Sequence, residues 1–272
     1  MPFVGLGVGR QRFIDSGGGF DSDYQAVLDY ATTQGYTLPS SGQQTLQNQL
    51  VLDLKSGGIW SKLDTFGVFA TDGDSDFALI DWINLTDMTA VNSPTFTIDS
   101  GFNGDGATSY INTNFTISTD AVNYTQNNAS TFAYIDVDFS DTDNGIYGAR
   151  VEVTTANRNQ LRIRDVDYRP AINDVRPIIS ADYRSNNWHH QKRTSSTDFT
   201  TYLDSTSFTN NISSVDPSFL NISMNLLAIN FLNTSGLQKL YYSSSTIKIF
   251  GLGEALDNTD LQSAINSYIT SI

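Results

Sequence analysis

The chain has two histidines, His189 and His190, and they are adjacent. Histidine is the side chain best suited to acid–base chemistry near neutral pH. A serine-type triad would need a nucleophile and a carboxylate to converge on one of these rings. Their surroundings favour a β-strand, in which neighbouring side chains point to opposite faces. The two rings therefore cannot bind one metal ion together.

The acidic segment Asp72-Gly73-Asp74-Ser75-Asp76 carries carboxylates at alternate positions, as calcium loops do. An EF-hand would require Gly next and Glu at the twelfth position, where Phe77 and Ile83 stand. We expect a solvated acidic loop between a helix and a strand, and a structural Ca²⁺ ion stays an unsupported alternative. A second acidic segment, Asp141-Thr142-Asp143-Asn144-Gly145, predicts a hairpin turn with a positive φ at Gly145.

Glycoside hydrolysis would require two carboxylates across a cleft. The chain has two glutamates, Glu152 and Glu254, and lacks the Glu-x-Asp-x-x-Glu strand typical of concanavalin-like glucanases. Glu152 lies in the strand-like run Val151–Thr154, as a lone residue of its polar face. We therefore predict a protein without catalytic residues and without a cofactor.

Sugar binding would need an aromatic platform surrounded by hydrogen-bonding side chains. Trp188 is expected in the core, because aromatic residues at alternate strand positions usually fill sandwiches. The composition fits a lectin-like surface without specifying one, so ligand-binding and metal-binding residues stay unassigned. The candidate platform residues are Tyr168, Tyr183, Trp188, Tyr241 and Tyr242.

The sequence pattern divides the chain into three segments, residues 1–19, 20–66 and 67–272, and the candidate residues above lie in the third. Residues 1–19 are rich in glycine and end in Ser16-Gly17-Gly18-Gly19, which is the composition of a flexible arm. Such an arm either becomes ordered on a partner or is simply disordered. We expect the mature chain to begin at Met1, because the N-terminus lacks the leading basic region of a signal peptide.

Residues 20–66 carry the helical pattern. Apolar residues recur at helical spacing over 23–31 and stop at Gly35. A second helix is predicted from Ser40 or Ser41, its possible caps, to Gly57-Gly58, which makes a helical hairpin.

Residues 67–272 are predicted to form an antiparallel β-sandwich with a C-terminal helix. Short runs rich in Val, Ile, Thr, Tyr and Phe alternate with turn residues, without helical crossovers. Ile135 and Val137 alternate with Asp136 and Asp138, which indicates one buried and one wet face. The terminal helix should be capped by Asp257 and bury Leu261, Ile265 and Tyr268. Strands are predicted at 95–98, 110–113, 131–139, 160–164, 199–203 and 246–250.

Charge and composition exclude several partners. The chain of 272 residues has 15 basic and 29 acidic residues, a formal net charge of −14, which disfavours nucleic acid. It contains no cysteine, so packing or assembly must stabilise it. No apolar run reaches the roughly 18 residues that a membrane span needs, so we expect no membrane partner.

Three ordered motifs resemble laminin-G-like and concanavalin-like domains. Phe102–Ile111 is similar to their early F-x-G-x-G-x-Y strand, and Asn187–His190 with Thr201–Asp204 resembles their W-H-H hairpin. Ile247–Gly251, followed by the terminal helix, resembles their closing strand. The resemblance implies a jelly-roll sandwich and structural roles for His189 and His190, one under the sheet and one outside it.

The N-terminal part resembles virion structural proteins of bacteriophages, notably those infecting Bacteroidetes. The similarity lies in Gln43–Lys55, in Gly58–Leu63 and in the opening Gly5-Leu6-Gly7-Val8-Gly9-Arg10. It implies a virion location, anchoring to other virion proteins through the N-terminal region, and a homo-oligomer, as in fibres and spikes. The virion part stays open among tail fibre, head fibre, spike and capsid decoration.

Three functions follow from these patterns. The first is a non-enzymatic virion component that displays a lectin-like sandwich, with host-surface glycans as candidate ligands for attachment. The second is a carbohydrate-binding adhesin module, and the third is a polysaccharide depolymerase.

Overall fold

The structure, a computed structural model, describes residues 19–138, 143–152, 157–164, 167–174, 187–236 and 238–272. Apart from Gly19, the predicted N-terminal arm lies outside these residues, as does Tyr183. The helices are α1 (Ser22–Gln34), α2 (Ser41–Ser56), α3 (Ser75–Ala78), α4 (Ile117–Asp120) and α5 (Asn258–Ile269). The strands are β1 (Leu63–Val68), β2 (Ile80–Asp81), β3 (Thr86–Asp87), β4 (Thr89–Val91), β5 (Thr95–Thr97), β6 (Gly101–Asn103), β7 (Tyr110–Asn112), β8 (Ala129–Asp136), β9 (Asp143–Val151), β10 (Asn157–Arg164), β11 (Asp167–Ile172), β12 (Trp188–Arg193), β13 (Asp198–Leu203), β14 (Thr206–Asn211), β15 (Asn225–Leu226), β16 (Ala228–Leu232), β17 (Gln238–Tyr242) and β18 (Thr246–Gly253).

Two sheets form the predicted β-sandwich. Sheet A runs in the order β14-β13-β12-β8-β18-β1-β2-β3, with β6 also paired to β18 and β5 to β6. Sheet B runs in the order β11-β10-β9-β15-β7-β4, with the β16–β17 hairpin attached to β9. Their facing sides enclose one core cluster, which includes Ile135 and Phe250 from sheet A and Leu161 and Ile163 from sheet B.

The other side of sheet A is covered by a helical layer formed by α1, α2 and α5. A second core cluster joins Val27, Leu54 and Ile265 of these helices to Phe132 and Trp188 of the sheet. Sheet A is therefore buried on both faces. Strand β1 begins at Leu63 and pairs with β18 in the middle of this sheet, so the sandwich starts inside the segment predicted as the helical preface.

Helix ends follow the sequence closely. Ser40 caps α2 by accepting the amide hydrogen bond of Gln43 at 3.3 Å, and Asp257 caps α5 through the amides of Thr259 and Asp260. The α5 residues predicted to be buried, Leu261, Ile265 and Tyr268, are buried. Helix α1 ends at Gly35, which adopts a left-handed φ of 83° that suits glycine.

The hairpin turn predicted around Gly145 is wrong where the structure describes it. Gly145 lies inside β9, paired with Arg162 of β10, and it does not have a left-handed φ. Glycine is needed there for close approach, because a Cβ atom would lie 2.5 Å from Cγ1 of Ile229.

Candidate functional site: an arginine–aromatic face on sheet B

The two histidines are both fully buried, on opposite sides of sheet A. His189 faces the sandwich interior, where its Nδ1 lies 2.8 Å from the hydroxyl oxygen of Tyr168. His190 faces the helical layer, with Nδ1 2.9 Å from Oδ1 of Asn258 and Nε2 3.1 Å from Oγ of Ser130. The expectation that the two rings lie on opposite sides of the sheet is confirmed, and α5 covers the outer one.

Both ring nitrogens of His190 have hydrogen-bond partners. Oδ1 of Asn258 also accepts the indole N–H of Trp188 at 3.0 Å, so it must accept from Nδ1 of His190. Oγ of Ser130, the partner of Nε2, also accepts the amide of Leu256 at 2.9 Å. Burial lowers the pKa of His190 to about 4. These contacts give His190 a structural role.

The carboxylates of the predicted acidic loop bind backbone amides. Asp74 accepts the amides of Thr37 at 2.6 Å and of Phe77 at 2.8 Å, and Asp72 accepts the amide of Ser40 at 2.9 Å. The loop lies between β1 and the short helix α3. Its hydrogen bonds to Thr37 and Ser40 hold the segment that connects α1 to α2. Within the described residues, no group of three or more His, Asp or Glu side chains is arranged to hold a metal ion.

The predicted sugar platform does not assemble as a unit. Trp188 and Tyr168 are buried in the core, whereas Tyr241 and Tyr242 are half-buried on β17. Tyr242 packs near Tyr110, with ring centroids 6.2 Å apart. Tyr241 instead joins a group of arginines that the sequence did not single out.

We call this group the arginine–aromatic face; it lies on the side of sheet B that points away from sheet A. Leu161 and Ile163 of β10 point into the core, so the alternating residues between and beside them point outward. Register brings Arg150 of β9 opposite Arg158, and Arg169 of β11 opposite Arg162. The described members are Arg150, Glu152, Arg158, Gln160, Arg162, Arg169, Phe231 and Tyr241.

A shared carboxylate lies at one end of this face. Nη2 of Arg150 is 2.6 Å from Oε1 of Glu152, and Nη2 of Arg158 bonds the same oxygen. The side chains of Arg150, Glu152 and Arg158 are 11%, 20% and 9% exposed. Glu152 is therefore not a lone polar residue, as the sequence suggested, but the partner of two arginines.

This arrangement fixes the charge of Glu152. Burial on its own would raise the pKa of Glu152, but the hydrogen bond and charge of Arg150 and the charge of Arg158 lower it below its ordinary value. Burial and then the charge of Arg150 lower the pKa of Arg158, while the charge of Glu152 raises it. A glycosidase acid needs a raised pKa, so Glu152 is unsuited to that role.

Two of the guanidinium groups lie over aromatic rings. The guanidinium carbon of Arg150 lies 4.2 Å from the ring centroid of Phe231, and that of Arg162 lies 4.0 Å from Tyr241. The rings of Phe231 and Tyr241 stack with centroids 6.0 Å apart. Such cation–π contacts stabilise a fixed orientation of the arginine fork.

Several buried polar atoms of this face lack hydrogen-bond partners. They include both amide atoms of Gln160, which is fully buried, and Nε of Arg158 and of Arg169. An unsatisfied buried donor or acceptor costs about 1–3 kcal/mol. Buried polar groups are nearly always paired in native proteins, so these atoms need a water molecule or another partner.

A cavity of about 260 Å³ opens on the far side of the molecule, between α1 and the segment after β2. Trp60, Trp82, Ile83 and Leu85 line it, with Asp23 at one end. The indole N–H of Trp82 is buried without a partner.

Comparisons with known proteins give fold-level similarity alone. No family model matches the chain, and no curated protein matches it. The binding domain of botulinum neurotoxin serotype D has a similar structure, with a TM-score of 0.51 and 13% identity over 76% of this chain and 53% of that one. The chain therefore spans about half the length of that toxin domain.

Two other similar structures score lower. A Trypanosoma rangeli sialidase mutant displaying trans-sialidase activity has a TM-score of 0.48 and 13% identity, over 84% of this chain and 40% of that one. The binding domain of Paraclostridial Mosquitocidal Protein 1 has a TM-score of 0.36 and 13% identity, over 77% and 53%. The fold class is a two-sheet β-sandwich with a C-terminal helix, antiparallel apart from the parallel pairing of β16 with β9. No helix of the described residues is long and apolar enough to cross a membrane.

Proposed function

We propose that this protein is a non-enzymatic bacteriophage virion component whose sandwich binds glycans of the host surface. The arginine–aromatic face carries the proposal. Sugars combine apolar C–H faces with hydroxyl groups, and this face combines stacked aromatic rings with guanidinium donors. The sandwich of similar structure in botulinum neurotoxin serotype D belongs to a binding domain, which supports a binding role.

The layer order supports display of this face. The helical layer covers the outer side of sheet A and leads back to the N-terminal arm, residues 1–19, which we propose as the attachment to other virion proteins. Sheet B then lies on the side of the molecule away from α1 and α2. The resemblance of Gln43–Lys55 and Gly58–Leu63 to phage virion proteins supports the location in a particle, and we propose a homo-oligomer there.

The chemistry at Glu152 favours binding over hydrolysis. The two arginines keep Glu152 ionised, so it cannot donate a proton to a leaving group. Glu254, the other glutamate, lies beyond β18 next to the helical layer, on a different layer of the molecule. A polysaccharide depolymerase would need its acid and base elsewhere.

Binding of the full chain to an array of bacterial surface glycans tests the proposal. We expect Tyr241→Ala to weaken binding of the retained glycan at least tenfold, because it removes a ring from the arginine–aromatic face. Tyr30→Ala, on α1 at the other side of the molecule, is the matched control and should bind like the wild type. Retention of no glycan would refute the adhesin role, and release of shortened oligosaccharides would replace it with hydrolysis.

Imaging of the chain in its particle tests the location separately. We expect residues 1–19 to contact another virion protein while sheet B faces outward. A particle that lacks the chain, or an arm without a virion contact, would refute the anchoring role whatever the glycan array shows.

A further inference from the structure

We propose that Phe13 and Ile14 of the N-terminal arm bind in the cavity between α1 and the segment after β2 of the same chain. The occupant is an apolar pair within residues 1–18, which lie outside the described part of the chain. This inference goes beyond the proposed function and does not depend on it, because the residues before Phe13 would make the virion contact.

The lining of this cavity suits apolar side chains. Trp60, Ile83 and Leu85 line it and are half-buried, so part of their surface stays accessible. Asp23, at one end, is already paired with Lys55 at 2.7 Å, so its charge does not require a ligand. The cavity volume, about 260 Å³, is below the roughly 300–1,000 Å³ of pockets for small molecules. Side chains of a peptide segment therefore fit it better than a cofactor does.

Hydrogen bonds hold the wall of the cavity in place. The carboxylate of Asp81 accepts the amide of Ile83 at 3.0 Å, and its carbonyl oxygen accepts the amide of Leu85 at 2.9 Å. Between them, the side chain of Asn84 donates to the carbonyl oxygen of Asp64 at 2.8 Å. The wall is therefore formed before a segment enters, which reduces the entropy lost on binding.

The N-terminal arm joins the folded chain beside this cavity. Asp23 and Ala26 of α1 line the cavity, and the chain enters α1 through Phe20. The ring centroids of Phe20 and Tyr24 are 5.4 Å apart, and those of Tyr24 and Trp82 are 5.6 Å apart. The start of α1 thus lies one aromatic ring away from Trp82, which is a lining residue.

The arm carries an apolar pair within reach of this place. Ile14 precedes Gly19 by five residues, which extend to at most about 17 Å. The residues between them, Asp15-Ser16-Gly17-Gly18, have the composition of a tether. A short tether gives its end an effective concentration in the millimolar range. Even a weak interaction would then keep Phe13 and Ile14 in the cavity.

Tryptophan fluorescence of the full chain tests this docking. The chain has three tryptophans, of which Trp60 and Trp82 line the cavity, whereas Trp188 is buried under the helical layer. We expect the double variant Phe13→Ser/Ile14→Ser to raise the acrylamide quenching constant about twofold and to shift the emission to longer wavelength. The reason is that the variant leaves the cavity open to solvent.

A matched control lies in the same arm. Phe3→Ser/Val4→Ser makes a similar chemical change further from Gly19, so it should show the quenching of the wild type. Equal quenching in the wild type and both double variants would refute the docking. Increased quenching in both would refute the assignment to Phe13 and Ile14.

A substitution in the cavity tests the other side of the contact. Leu85→Asn removes apolar lining, and asparagine tolerates the left-handed φ of 50° at this position. We expect it to raise quenching in the wild-type background but not in Phe13→Ser/Ile14→Ser, where the contact is already lost. Ile98→Asn, at a site that is 58% exposed, is the control and should change neither. Additive effects of the two changes, in variants folded by circular dichroism, would refute the shared contact.

Dilution and a peptide identify the occupant. Docking within one chain does not depend on protein concentration, so we expect the emission of the wild type to stay constant on dilution. A shift on dilution towards the emission of Phe13→Ser/Ile14→Ser would show that the arm of a second copy fills the cavity, which overturns the proposal. A peptide of residues 1–18, added to that full-length variant at up to millimolar concentration, should restore the wild-type emission saturably. Failure to restore it would refute binding of this segment.

Discussion

His190 should make the stability of this protein depend on pH between about 7 and 4. Its ring is fully buried between sheet A and α5, and this burial outweighs the hydrogen bond to Asn258, which favours the charged form. The pKa of His190 is lowered to about 4 in the folded chain, against about 6.5 in an unfolded chain. Because the unfolded state takes up the proton first, acid favours unfolding.

The magnitude follows from the difference in pKa. Each pKa unit corresponds to about 1.4 kcal/mol, so His190 contributes roughly 3 kcal/mol at pH 7 that is lost as the pH falls through 6.5 towards 4. Above pH 7 both states are neutral at this residue and its contribution is constant.

Urea unfolding at half-unit steps from pH 7.5 to pH 4 measures this effect. We expect His190→Gln to be less stable than the wild type at pH 7, because it loses packing against α5. The difference between the two proteins should shrink by about 3 kcal/mol towards pH 4, since the variant has no proton to take up at this position. Every carboxylate is common to both proteins and cancels in the difference. Parallel curves over this range would refute the buried neutral histidine.

Two further substitutions test the packing of the sandwich, each by urea unfolding. Asp174 and Arg193 form an ion pair at 3.0 Å with both side chains fully buried, so Asp174→Ala should cost about 3–5 kcal/mol; a loss below 1 kcal/mol would indicate that the pair is hydrated in solution. A Cβ atom on Gly253 would lie 2.0 Å from the carbonyl oxygen of Lys62, so Gly253→Ala should cost about 1–3 kcal/mol. Gly42→Ala, in the open first turn of α2, is the control for that change and should be neutral or stabilising.

Local patterns predicted six of the eighteen strands in the described part of the chain, and the ends of the long helices. The strand predicted at 131–139 corresponds to β8, observed at Ala129–Asp136, and Asp257 marked the start of α5. These features depend on residues that are close together in the sequence, so the sequence alone is enough to predict them. The burial of His190 is different, because it depends on α5, which is about 70 residues away and packs on the outer side of the sheet.

Gly145 illustrates a second limit of the sequence. Asp-Asn-Gly sequences favour turns because glycine tolerates a positive φ. Here the glycine is required because Ile229, 84 positions later, lies against its backbone. Both constraints select glycine, and one sequence cannot distinguish a local cause from a distant contact.

Part of the arginine–aromatic face could be predicted from the sequence, and part could not. Arg158, Gln160 and Arg162 alternate with Leu161 and Ile163, so the sequence contained the information that these polar residues share one face of a strand. The neighbouring strands, which bring Arg150 and Arg169 opposite them, follow from the pairing register, and the stacked rings come from a hairpin further along the chain. Arginines are common on a strand face that is exposed to water. Here the pairing register places four arginines on one face whose side chains are largely buried.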